Sequence, residues 1–349
     1  MKKWFLLFLL LGTPNAWATY PNYTVCPSTC DFNTLQGAVA DLIANHATPA
    51  SPVTITISGS WASADTAAVN ITTGLTTTSS NTLTISTTGT ARNNGVFPSG
   101  SGGYWLAPTA AVGITVSAGY ITINGLAIDA TTSGDDAISV ANYYPNLTFI
   151  NNFFKVTAGY AMDTPSLRGT NYFYNNICVG NNSALYNACV GTTNQDSGTS
   201  TYVYNNTSYG MGQSFNANTG ATGIYVLANN VASSSITDSI YRGQFASSGS
   251  NNVCDLASEC TISPLTNGTN SATSYTSYYT SPSGNNFSLK VGSILIAGGT
   301  SESGTFTTDI TGATRSTWDV GAFAYNATVS APPSKTIINN AIIRNATIN

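Results

Sequence analysis

Short alternations of apolar and polar residues recur along the middle of the chain. Ile121-Thr-Ile-Asn124-Gly-Leu, Leu147-Thr-Phe-Ile-Asn151-Asn-Phe, Tyr172-Phe-Tyr-Asn175-Asn-Ile, Tyr202-Val-Tyr-Asn205-Asn-Thr and Tyr225-Val-Leu-Ala-Asn229-Asn-Val each alternate and then stop at Asn-Asn or Asn-Gly. A period of two places apolar side chains on one face of a strand. Asn and Gly tolerate the left-handed backbone of a tight corner. The first Asn recurs at 124, 151, 175, 205 and 229, at intervals of 27, 24, 30 and 24 residues, the range of a stacked array. A second alternation keeps step: Asp136-Ala-Ile-Ser-Val140, Tyr160-Ala-Met-Asp-Thr164 and Asn187-Ala-Cys-Val-Gly191 are offset by 24 and 27 residues. Two ladders in phase predict a coil that lays down a parallel strand at the same place on every lap. A sandwich of hairpins would instead show a strong turn between every strand pair.

The ends of such a solenoid need covers. Asn33-Thr-Leu-Gln-Gly-Ala-Val-Ala-Asp-Leu-Ile43 predicts a short amphipathic helix capped by Asn33 or Thr34, with Leu35, Val39, Leu42 and Ile43 on one face. Val53-Thr-Ile-Thr-Ile57 then reads as the first strand. His46 follows the helix and reads as a surface or capping residue.

Composition narrows the function. Only 7% of the 349 residues are charged, against about 25% in an average domain. Thr, Ser and Asn (52, 40 and 37 residues) supply the hydration instead and argue against a helical fold. Ten Lys and Arg with a pI near 4.7 leave no basic stripe for nucleic acid. One His argues against His-based catalysis and His-ligated metals. Lys2 and Lys3, the apolar run Trp4 to Leu11, and Ala16-Trp17-Ala18 read as a secretion signal over residues 1–18, too short to span a membrane. Six cysteines in an exported chain predict disulfides, and the local pairs Cys26/Cys30, Cys178/Cys189 and Cys254/Cys260 need the fewest assumptions. The β-helix is expected over 19–325, with an N-terminal cap near 31–45 and a closing motif near 285–325. A linker and Ile-bearing tail follow over 326–349.

These patterns resemble the right-handed parallel β-helix proteins of the pectate-lyase-like superfamily over roughly residues 30 to 325. Asn286-Phe-Ser-Leu-Lys-Val-Gly-Ser-Ile-Leu-Ile-Ala-Gly-Gly299 is similar to the F-x-L-x-x-G-S-x-x-I-x-x-G stretch of secreted bacterial members. Asp309-Ile-Thr-Gly-Ala-Thr-Arg315 and Trp318-Asp-Val-Gly-Ala-Phe323 resemble their closing D-I-x-G-x-x-R and D-I-G-A-Y segments. The resemblance implies an all-β solenoid at the cell surface or beyond it. It implies no single reaction, since members include polysaccharide lyases, polygalacturonases, adhesins and phage tailspikes. Asp309, Arg315 and Asp319 read as a structural trio able to pair as a fold-terminating cap.

Candidate chemistry lies where charge gathers: Asp129, Asp135, Asp136, Lys155, Asp163 and Arg168 fall within 40 residues. The ladder alignment places Ser139 and Asp163 on neighbouring laps, with Asp135 and Asp136 at the start of the Ser139 strand. Carboxylates one lap apart raise each other's pKa, giving a general acid, or share a Ca²⁺. Arg168 would neutralise a uronate or stabilise developing negative charge. Gly134-Asp135-Asp136-Ala137-Ile138 also resembles the G-D-D-x-I segment of polygalacturonases, but their N-T-D, G-H-G and R-I-K motifs are absent. Asp135, Asp136, Asp163 and Arg168 are therefore the candidate catalytic set. Tyr143, Tyr144 and Tyr160 are candidate sugar-stacking residues, with Tyr186, Tyr209, Tyr278 and Tyr279 as further loop aromatics. Two functions are expected from this sequence. One is a secreted or surface protein that interacts with polysaccharide as a lyase or hydrolase of acidic glycans, without a resident cofactor. The other is a non-enzymatic adhesin or spike-like protein.

Overall fold

A computed structural model describes residues 22–72, 74–98, 100, 102–109, 112–132, 135–141, 143–181, 187–217, 223–233, 241–243, 249–254, 269–270 and 277–325. The predicted signal, Tyr186, Cys260 and the 326–349 tail lie outside them. The chain is an all-β parallel solenoid, and the described residues include one α-helix, near the N-terminal end. Its first sheet stacks eight strands: Tyr23–Val25, Val53–Ile57, Leu83–Thr87, Ile121–Asn124, Thr148–Ile150, Thr170–Tyr174, Ser200–Tyr204 and Ile224–Ala228. The second stacks eight from Trp105–Leu106 to Thr269–Asn270, and the third seven from Val69–Ile71 to Tyr241–Gly243. A small fourth sheet, Tyr144–Pro145, Ser166–Arg168 and Asn194–Gln195, lies between the third and first in chain order.

Parallel register stacks like on like. Ile55, Ile85, Ile123, Phe149, Phe173, Val203 and Leu227 form one fully buried column. The Phe149 and Phe173 rings stack at 5.2 Å between centroids. The helix, Leu35–His46, starts from Thr34, whose side chain accepts from the Gly37 amide, and buries Leu35, Ala38, Val39 and Leu42. His46 is its last residue rather than one beyond it. Val53–Ile57 is not the first strand either. Tyr23–Val25 precedes it and pairs with it in parallel. Its three residues are too few to show a period.

The corner between the first and second sheets is built by paired asparagines. Asn151, Asn175, Asn205, Asn229 and Asn251 take φ between 52° and 57° there. In the preceding lap strand pairing aligns Asn124 with Ile150. Gly125 (φ 82°), not Asn124, is therefore the corner residue. Asn-Gly resembles Asn-Asn in sequence, which displaces the ladder by one position. A Cβ at residue 125 would stand 2.5 Å from Thr87 Oγ1, so only glycine fits. The second asparagine of each corner turns inward. Asn152, Asn176, Asn206 and Asn230 each donate from Nδ2 to the next lap's Oδ1 at 3.0 Å, ending on Asn252. That same oxygen accepts the preceding lap's backbone amide at 2.9–3.0 Å. Each Nδ2 also reaches a first-sheet carbonyl, such as Phe173 from Asn206 at 2.8 Å. In Asn176, Asn206 and Asn230 both amide hydrogens donate and the oxygen accepts twice, so these buried amides are satisfied along the axis.

The closing segment does not plug the end of the solenoid. It folds back along the flank. Asn286 bridges Val96, and the Phe323 ring occupies the space a Cβ on Gly95 would need. Asn175 donates to the Thr308 carbonyl, Asn205 to Asp319 and Asn229 to Thr300, at 2.7–2.8 Å. Leu295, Ile310, Val320 and Ala322 pack with Phe153, Ile177 and Val231 of the second sheet in a separate apolar cluster. Among the described residues Arg315 pairs with no carboxylate. Its guanidinium donates to the Gly321 and Ala322 carbonyls at 3.0 Å and to Asn175 Oδ1 at 2.9 Å. Asp309 and Asp319 instead accept backbone amides: Asp309 those of Thr311, Ala313 and Ala324, and Asp319 those of Ala297 and Tyr325. Planar donors suit converging carbonyls as well as carboxylates.

Cys26–Cys30 and Cys178–Cys189 are disulfides. Cys254 is also disulfide-bonded. Among the described residues no helix is long and apolar enough to cross a membrane.

Candidate functional site

The residues gathered between 129 and 168 do not form one cluster, because each lap visits every face. Asp129 and Lys155 are in register on the second sheet, and the Lys155 ammonium lies 4.1 Å over the Phe97 ring. Arg168 is in the fourth sheet, where it pairs with Asp196 and lies 5.0 Å over the Tyr143 ring. Both partners of that pair are substantially exposed, so it is worth little to stability. Asp135 is exposed at the corner before the third sheet. Asp163 lies on the third sheet and Asp136 at the corner leading into it, near enough for the charge of Asp136 to act on Asp163.

The strands that carry them are built by alternation. Ile138 and Met162 are buried in register, which turns Ser139 and Asp163 outward. In-register neighbours extend this outward row: Asn70, Thr115, Ser139, Asp163, Gly191, Asn216. Ser139 Oγ donates to Asp163 Oδ2 at 3.5 Å. On the other side Gly191 offers no side chain. The Tyr160 ring fills that space, 2.5 Å from where a Cβ would stand. Asp136 Oδ1 accepts the Tyr160 amide at 2.6 Å, which ties the corner of one lap to the next.

Burial disfavours the charged forms here. Burial, then the charge of Asp136, push the Asp163 carboxyl up to about 6, against a smaller lowering by Ser139. Burial also raises Asp136, opposed by the Tyr160 amide and assisted by Asp135. A carboxyl raised towards neutrality by burial, with a second carboxyl near it, is suited to acid catalysis. Strand pairing continues the row beyond Asn216 to the register position of Arg242. Among the described residues no group of three or more His, Cys, Asp or Glu could hold a metal ion.

The aromatic candidates divide. Tyr143 is 39% exposed beside Arg168, and Tyr144 is half-buried against the core. Tyr278 and Tyr279 are fully buried in the cluster under the closing segment. Register separates these roles where turn-rich sequence cannot. Asp196, Gly191 and Asn216 were missed: they lie in later laps, where the charge enrichment gives no signal. Only strand pairing brings them beside the candidates.

No protein-family model matches the chain, and no curated protein matches it. Among solved structures, a pectin methylesterase crystallised in complex with a hexasaccharide is similar at 17% identity and a TM-score of 0.29, over 68% of this chain and 71% of that one.

Proposed function

We propose that this chain is an extracellular polysaccharide-interacting β-helix protein that engages glycan on the outer face of its third sheet. Glycosidic hydrolysis is assigned to Asp163 and Asp136. The register that sets Asp163 between Ser139 and Gly191 carries this reading. It presents a protonatable carboxyl, a hydroxyl and an aromatic ring on one accessible face. Asp163, protonated below about pH 6, would donate to the leaving oxygen. Asp136, the carboxyl at the corner leading into the same sheet, would assist water or the sugar cation. Arg168, held by Asp196 and Tyr143 on the fourth sheet, is left out of this assignment. Disulfides and a sequence-predicted signal support an extracellular address.

The test is incubation of the mature protein with neutral and uronate-rich polysaccharides, reading new reducing ends and retention on immobilised glycan. New ends from either class of glycan, lost in Asp163→Asn and Asp136→Asn with the fold intact, support the assignment. Retention without new ends would favour the non-enzymatic surface role. Neither binding nor cleavage of any glycan would overturn both.

A further inference from the structure

A groove of about 260 Å³ lies beside the edge strand of the fourth sheet, outside the carboxylate pair. Thr76, Thr77, Ser117, Tyr120, Tyr144 and Pro145 line it. Among the described residues that line it, the two phenols are the only ionisable groups. Tyr120 sits there in the left-handed region, φ 51°, and it alone among the described positive-φ residues is aromatic. The strain is not forced by the coil. Tyr120 and Asn146 each stand two residues before the paired Thr122 and Thr148, so they occupy equivalent places in adjacent laps. Asn146 makes the same turn at φ 57° with a residue that tolerates it. Gly119 before it lets Pro145 approach, since a Cβ there would stand 2.6 Å from the proline ring. The fold brings an aromatic ring to this corner where asparagine would turn the chain with less strain.

We propose that this groove is a subsite for one uncharged pyranose unit of a glycan, held by the rings of Tyr120 and Tyr144 and by the hydroxyls around them. Sugar rings present apolar C–H faces to aromatic rings and hydroxyls to Ser, Thr and phenol oxygens. A groove without a fixed charge selects a neutral unit over a uronate, which would lose its hydration with no counter-ion. This subsite rests on the glycan-binding reading above but uses none of its residues.

Two measurements test it on the mature protein: thermal unfolding, and calorimetric titration with cello-, manno- and xylo-hexaose against oligogalacturonate. Tyr120→Asn should raise the melting temperature, because it relieves the turn. It should also weaken binding of the preferred neutral oligosaccharide about tenfold, the weight of one aromatic stack. Tyr144→Ala should weaken binding similarly. A melting temperature lowered in Tyr120→Asn overturns the proposal, because the tyrosine would then be kept for the fold. Unchanged affinity in both variants overturns the subsite while leaving glycan binding at the third sheet intact. Absence of binding in the wild-type protein overturns both.

Discussion

Two residue types decide most of this molecule, asparagine by its amide and aspartate by its scarcity. Asn206 occupies the middle of the inward ladder, donating to Asn230 and to the Phe173 carbonyl and accepting from Asn176 through both backbone and side chain. Asn206→Ala leaves several buried groups without partners. It should cost about 3 kcal/mol in urea unfolding, more than the loss of one ordinary hydrogen bond. A much smaller loss would mean that water enters the corner. Asp163 makes a prediction of opposite sign. Its folded pKa is raised to about 6, so the folded protein holds this proton more tightly than the unfolded chain. The stability it contributes is complete below about pH 4 and is lost as the pH rises through about 6. Asp163→Asn should therefore be more stable than the wild type above about pH 6, an advantage that fades towards about pH 4. Melting curves across that range check this, and an advantage that grew in acid would contradict the assigned environment.

At the scale of elements, the closing segment is the least expected part. Its glycines, carboxylates and Arg315 serve a flank rather than an end. They hold a strap against the corner asparagines and bury the outer side of the second sheet. Truncation after Lys290 would remove Leu295, Ile310, Val320 and Phe323 from Phe153, Ile177 and Val231. The shortened chain should keep its β-sheet circular dichroism and bind a hydrophobic dye strongly, because the solenoid core is a separate cluster. Loss of the sheet signal would show instead that the strap is needed for the coil to form.

Across the whole molecule, the low charge gains a physical sense. A lap of some two dozen residues passes every sheet in turn, so charges adjacent in sequence are distributed to different faces. Lys155 and Asp129 go to the second sheet, Asp163 to the third with Asp136 at the corner leading into it, Arg168 to the fourth. The surface that remains is hydroxyl and amide with isolated carboxyls, a composition suited to hydrogen-bonding a hydrated neutral polymer.

The period of the alternation and the Asn corners were enough to settle the parallel solenoid, its capping helix and the adjacency of Ser139 and Asp163. These follow from local periodicity and from strands repeating at nearly constant offset. The sequence could not place Gly125 rather than Asn124 at the corner, because both dipeptides make the same turn and only strand pairing resolves one residue. Nor could it separate Arg168 from Asp163, five positions apart, since a bend between sheets redirects the chain. The flank position of the closing segment, the pairing of Arg168 with Asp196 and the groove at Tyr120 rest on contacts between residues distant in sequence. Those contacts were decided by the tertiary structure alone, because no local pattern records which face of the coil a returning segment will cover.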